Sequence, residues 1–299
     1  MFSNKLTGAI ANGADVTPGV TGKGAALMWV NYKEFASRGV EAELAWNKKI
    51  GDLQLTLGGN ITYGRSEVTK ENDINYPDEL AALRKIRVNG DTKGYTVIGT
   101  FADQADIDAS PVQAFGGKVY PGDLKYKNVN GDDVIDERDR SVIANVQPSV
   151  QYGLNLSLKF KGFNLDVLGY GLAGFDTMLD TKYYQIYGSR KYSDVLKTGL
   201  PNGNAHPALR ADNSTNNFVA SDYWVVNGSF FKLRNLEFGY TLPASFTDAI
   251  GVHAVKFFAR GTNLFTISKI RDLDPENLNA AVDNYPLFRT VTGGISFSF

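Results

Sequence analysis

The feature that most constrains this chain is alternation. Between Val40 and Asn47, apolar Val40, Ala42, Leu44 and Trp46 fall on one side, and Glu41, Glu43 and Asn47 on the other. A period of two belongs to a β-strand with one apolar and one polar face, because successive side chains point to opposite sides. The pattern recurs. Leu53, Leu55, Leu57 and Ile61 oppose Gln54, Thr56, Asn60 and Thr62. The longest example sets Val150, Tyr152, Leu154, Leu156, Leu158 and Phe160 against Gln151, Gly153, Asn155, Ser157 and Lys159. Phe163, Leu165 and Val167 then oppose Asn164 and Asp166, and Leu236, Phe238 and Tyr240 oppose Asn235, Glu237, Gly239 and Thr241. Residues 254–267 give another run, with Lys256, Arg260 and Thr262 on the polar side. The last sets Val291, Ile295, Phe297 and Phe299 against Thr290, Thr292, Ser296 and Ser298. About seven strands are expected, several longer than ten residues. Soluble strands usually run ~5–6 residues, whereas membrane-crossing strands need ~9–11.

The connections sort by length. Gly51-Asp52 and Lys161-Gly162 are two-residue turns, and some ten residues follow Leu242, where Pro243 cannot continue a ladder. Phe246-Thr247-Asp248-Ala249-Ile250 reads as one helical turn ended by Gly251. Between these lie long segments, roughly 66–147 and 174–228, and a loop near 268–286. Short and long connections therefore alternate, as they do in bacterial outer-membrane barrels with short periplasmic turns and long outer loops. The expected fold is all-β, an antiparallel transmembrane β-barrel whose last strand runs inward and leaves Phe299 at the periplasmic rim. No run reaches the ~18 apolar residues of a membrane helix, and a barrel needs none, since only alternate residues face lipid. Met1-Phe2-Ser3-Asn4-Lys5-Leu6 shows no apolar export signal, which a barrel requires, so a truncated N-terminus is expected. Residues 1–37, rich in Gly and Ala, read as loop.

Composition excludes several functions. The chain has no cysteine, which removes disulfides, thiolate metal sites and cysteine nucleophiles together. With 31 basic and 32 acidic residues it shows no basic patch for nucleic acid. His206 and His253 are the only histidines, too few and too far apart for a triad or a two-histidine metal site. No Walker loop or dinucleotide fingerprint is present. Glu41 and Glu43 share a strand face at ordinary i, i+2 spacing and do not form a glycosidase pair flanking a substrate. An enzyme is not expected.

Several stretches resemble the SusC/RagA family of TonB-dependent outer-membrane transporters. They are Gly122-Asp123-Leu124-Lys125-Tyr126-Lys127-Asn128-Val129-Asn130-Gly131-Asp132, Val134-Ile135-Asp136, and Lys232-Leu233-Arg234-Asn235-Leu236-Glu237-Phe238-Gly239-Tyr240-Thr241-Leu242-Pro243. Gly261-Thr262-Asn263-Leu264-Phe265-Thr266 and the closing run from Tyr285-Pro286-Leu287-Phe288-Arg289-Thr290 to Phe299 complete the set. The resemblance runs from about Arg38 to the terminus. It implies that residues 38–299 are the last seven strands of a 22-stranded type of barrel, without its plug domain and TonB box. It implies location in the bacterial outer membrane and nutrient uptake powered through TonB. A SusD-like surface lipoprotein would act as lid, with oligosaccharides or peptides as substrate. The competing reading is a soluble extracellular β-sandwich that binds carbohydrate and carries a calcium-stabilised loop.

Three groups of residues are candidate sites. Asn128, Asn130, Asp132, the Val134 carbonyl, Asp136 and Asp139 stand at the ligand positions of a calcium loop. Asn128 replaces the usual Asp, and Asp133 stands where the sharp turn wants Gly. The alternative is a polar loop held by Asx-turns. Tyr183, Tyr184, Tyr187 and Trp224 could stack on sugar rings, or simply pack the loop that carries them. Glu41, Glu43, Lys159, Asp166, Lys256 and Arg260 are expected on the lumenal face, lining a substrate path or pairing with one another.

Overall fold

Each alternating run forms a long strand, and each strand lies beside its neighbour in sequence. The structure, a computed structural model, describes residues 1–12, 29–71, 76–77, 82–115, 117–181, 183–185, 199–208, 216–247, 251–278 and 285–299. Among them eight strands form one sheet: β1 (Phe2–Asn12), β2 (Trp29–Ile50), β3 (Leu53–Lys70), β4 (Val150–Phe160), β5 (Phe163–Ala173), β6 (Phe230–Thr241), β7 (Ala254–Ser268) and β8 (Thr290–Ser298). Every pair is antiparallel and follows chain order. One continuous sheet replaces the two packed sheets of a sandwich, so that alternative falls. No helix among the described residues is long and apolar enough to cross a membrane.

Register shows why one sheet serves both oil and water. Trp46, Leu57, Leu156, Val167, Leu236, Gly261 and Val291 are successive cross-strand partners over seven strands. The adjacent row is Asn47, Thr56, Ser157, Asp166, Glu237, Arg260 and Thr292. One face is thus apolar across the sheet and the other polar, the division a barrel wall needs between lipid and lumen. A one-residue slip anywhere would reverse the faces. The Lys161-Gly162 turn holds the β4–β5 register, with φ of 45° and 87° at its two residues, the handedness that fits the twist of a tight hairpin.

The first strand corrects the sequence reading. Residues 1–37 contain β1 and the start of β2, not a loop. β1 pairs with β2 from Phe2↔Gly39 to Asn12↔Trp29, with register shifts around Ala9 and Gly8 at φ 71°. The shifts interrupt the period, which hid this strand. A second irregularity lies at Arg234, a residue of β6 without a counterpart in β5. This bulge exchanges the faces, so Lys232 and Phe230 point inward although they are even-numbered like outward Leu236 and Phe238.

The long connections lie at the end of the sheet opposite the two-residue turns. Their described residues pack into two apolar clusters. Tyr95, Leu124, Tyr126 and Ile135 form one, joined by Phe115. Leu179, Tyr184, Leu200, Trp224, Val226 and Ile270 form the other. Lys232, 3% exposed, ties the 269–289 connection to β6 through Asp274 at 2.5 Å and Glu276 at 2.8 Å.

Candidate functional site

The polar face is a set of paired groups. Asp166 and Glu237 are direct cross-strand partners, an arrangement of like charges that costs free energy unless neutralised. Each carboxylate has its own donors. Ser157 Oγ and Asn164 Nδ2 donate to Asp166 at 2.6 and 2.8 Å. Lys256 Nζ donates to Glu237 at 2.6 Å and Arg260 Nε at 2.9 Å. Thr56 Oγ1 donates to Asn47 at 2.7 Å. Of the expected lumenal charges, Lys256 and Arg260 thus share Glu237, while Asp166 is held separately by Ser157 and Asn164. Glu41, Glu43 and Lys159 share the face opposite Thr62, Asn60 and Gln54.

Towards the outer end of this face lies a cavity of about 350 Å³ between β2, β3, β4 and the loop segments at Asn89 and 145–149. Ser37, Thr62, Ser66, Gln147 and Gln151 border it, and their side chains make no hydrogen bond among the described residues. Asn145, also on its border, is fixed through its amide to Asn89 O at 3.1 Å and Asp91 Oδ1 at 2.7 Å. Phe2 closes one side. A Cβ on Gly39 would fall 2.4 Å from Phe2 Cζ, so the ring lies directly on that glycine. No Asp or Glu borders the cavity. The arrangement offers amide and hydroxyl groups, each able to donate and accept, beside the Phe2 ring, and Tyr63 and Arg65 of β3 also border the cavity.

The aromatic candidates lie elsewhere and face inward. Tyr184 and Trp224 are 0% exposed in the second apolar cluster, and Tyr183 packs against it. Trp224 Nε1 donates to Asn217 O at 2.9 Å, and its ring stacks on Phe218. Burial pushes the Tyr184 hydroxyl up from its ordinary pKa. These rings pack the loops together. Tyr187 lies outside the described residues.

The calcium-loop residues are gathered, but their oxygens are spoken for. Asp139, fully buried, accepts from Val129 N at 2.7 Å and Asp136 N at 2.9 Å. Asn128 Oδ1 accepts from Gly131 N at 2.6 Å, and Asn130 Oδ1 from Asp132 N at 3.2 Å. Arg138 bridges Asp132 and Asp136, each at 2.7 Å. Its hydrogen bonds hold the Asp136 carboxyl below the usual range. Val134 pairs in a short ladder with Val112. Asp133 adopts φ 62°, so the turn that wants glycine forms without one. Among the described residues no three acidic or histidine side chains are grouped to hold a metal. As arranged, the loop does not fit calcium, and a guanidinium sits where a cation would.

Sequence reasoning missed the polar centre of the outer layer. Gln113 Oε1 accepts from Tyr126 N at 2.8 Å, while Asn216 Nδ2 donates to Leu124 O at 3.0 Å. Asn217 Oδ1 accepts from Leu124 N at 2.8 Å, and its amide donates to Asp123 at 2.9 Å. Side-chain amides thereby imitate a missing strand and join the 71–149 connection to the 174–229 connection. The Gly122–Asp132 motif is in large part this junction. Nothing local announces it, since the partners are some ninety residues apart.

Comparison with known proteins agrees with the fold. No family model matches the chain. It is 27% identical over 235 residues to TonB-dependent receptor P3 of Formosa agariphila, covering 73% of this chain and 23% of that receptor. It is 26% identical over 263 residues to TonB-dependent receptor SusC of Bacteroides thetaiotaomicron, covering 83% of this chain and 25% of that receptor. It superposes on the solved RagAB peptide importer in its open-open state with a TM-score of 0.70 at 19% identity, covering 99% of this chain and 32% of that one. The chain spans about a quarter of the length of the curated relatives it matches. Those relatives are receptors, not enzymes. The chain is a length of bacterial outer-membrane β-barrel wall that resembles the TonB-dependent receptors of the SusC/RagA family.

Proposed function

We propose that this wall belongs to a TonB-dependent importer of oligosaccharides that works beneath a SusD-like surface lipoprotein. The supporting observation is the cavity at the outer end of the lumenal face. Neutral amides and hydroxyls with unspent hydrogen-bonding capacity suit sugar hydroxyls, and the Phe2 ring suits the apolar face of a pyranose. Its volume falls within the roughly 300–1,000 Å³ of small-molecule sites. A peptide is the second reading, favoured by the resemblance to the RagAB peptide importer. A peptide ammonium, however, would find no carboxylate on the cavity border.

The test is calorimetric titration of the full-length receptor, with its lipoprotein, against panels of neutral oligosaccharides and short peptides. An oligosaccharide should bind, and Gln151→Ala should weaken it about tenfold, the loss of roughly one to two hydrogen bonds. Binding of peptides alone would overturn the glycan reading. Oligosaccharide binding indifferent to Gln151→Ala would move the site elsewhere.

A further inference from the structure

Arg38 and Arg65 are direct cross-strand partners in the β2–β3 hairpin. Both are exposed. Like charges placed opposite each other on a sheet are destabilising, and elsewhere this chain neutralises such charges. Lys5 pairs with Glu34 at 2.8 Å, and Glu237 holds both Lys256 and Arg260. Arg38 and Arg65 have no hydrogen bond or ion pair among the described residues. Glu67, two positions on from Arg65 and opposite Ala36, bonds to neither.

Their place on the wall shows what could neutralise them. Alternation puts Arg38 on the face of Val40, Leu44 and Trp46, and Arg65 on the face of Ile61 and Tyr63. That is the lipid side. Arg65 is among the residues that line the lumenal cavity, but the alternation that turns Thr62 and Ser66 into the lumen turns the Arg65 side chain to the opposite face. Each arginine is twelve residues from the turn end of its strand, counted from Ile50 and from Leu53. At ~3.3 Å per residue and a tilt of ~40°, this is a height of about 30 Å, just beyond an apolar band of ~25 Å. Tyr63, 49% exposed, lies one outward step below, at the level of the outer aromatic girdle. The guanidinium pair therefore stands at the headgroup level of the outer leaflet.

We propose that Arg38 and Arg65 together grip a phosphate of the phosphorylated glycolipid that forms the outer leaflet. Guanidinium forks match phosphate oxygens in pairs of parallel hydrogen bonds. Two forks converging on one phosphate remove the repulsion that no described residue relieves. The contact anchors the β2–β3 hairpin where it leaves the membrane, on the side of the wall away from the lumen.

The probe is purified lipid A and its enzymatically dephosphorylated form, titrated into the full-length receptor in detergent micelles, with inorganic phosphate alone as a third arm. The intact receptor should prefer phosphorylated lipid A by about tenfold or more. Arg38→Gln with Arg65→Gln should abolish that preference, and the paired change to Lys should retain part of it. Heat-modifiable mobility of each variant reports barrel assembly. If the glutamine variant does not assemble, the assembled lysine variant supplies the decision: an undiminished preference would show that fork geometry is irrelevant and overturn the proposal. Equal binding of both lipid forms to the intact receptor would overturn it by leaving acyl contacts alone. Inorganic phosphate binding as tightly as the lipid would overturn the lipid as its source.

Discussion

At the scale of single residues, burial separates packing from recognition. Trp224 fills the centre of the outer layer with its indole nitrogen satisfied. Trp224→Ala should cost about 3–5 kcal/mol of stability in that layer, measured as faster proteolysis of the loops in the full-length receptor. Tyr184 has the same burial, but its hydroxyl has no partner among the described residues. An unsatisfied buried hydroxyl costs about 1–3 kcal/mol, so Tyr184→Phe should leave the layer as resistant as before or more so. Loss of glycan affinity in Tyr184→Phe with unchanged proteolysis would restore a binding role. The sequence showed these aromatics in a loop beside other polar residues, which suits either reading. Their partners Leu179, Leu200 and Ile270 are scattered along the chain, and only tertiary contact decides.

At the scale of elements, the 128–139 loop is closed by its own groups. Removing calcium with EGTA should not change its proteolysis, whereas Arg138→Gln should accelerate it by freeing Asp132 and Asp136 to repel each other. A calcium-dependent rate in the unaltered protein would overturn this. The pH dependence has a definite sign. The Asp136 carboxyl is lowered by Arg138, so its contribution is fully present above the ordinary carboxylate range near ~4 and is lost as pH falls through the folded value. The strands were far more legible than this loop. Seven of the eight follow from alternation because one face meets lipid and the other water along their length. β1 escaped because Ser3 and Lys5 share a face with no apolar series, and Gly8 interrupts the register. The start of β2 escaped because a hairpin standing above the membrane need not alternate.

At the scale of the whole molecule, the sheet is a wall whose two outer edges, on β1 and β8, have no partner among the described residues. Unpaired edges invite association with other chains, so closure needs further strands. In the closed barrel, Leu156 belongs to the apolar row that crosses seven strands. Leu156→Arg should cost about 2–4 kcal/mol near the midplane and reduce the heat-modifiable band of the full-length receptor. The same substitution at Ser157, its neighbour on the lumenal face, should be tolerated far better. Equal effects at both positions would reverse the assignment of faces.

The amide junction of Gln113, Asn216 and Asn217 has a consequence for how the mouth can move. It joins the described residues of the two longest connections across their shared seam. A passage cannot open by unzipping that seam without stranding buried amides. Widening that keeps this seam intact would carry its two sides together about their roots, where Ser149 Oγ donates to Gly174 O at 3.0 Å and the chain turns with φ 70° at Gly174.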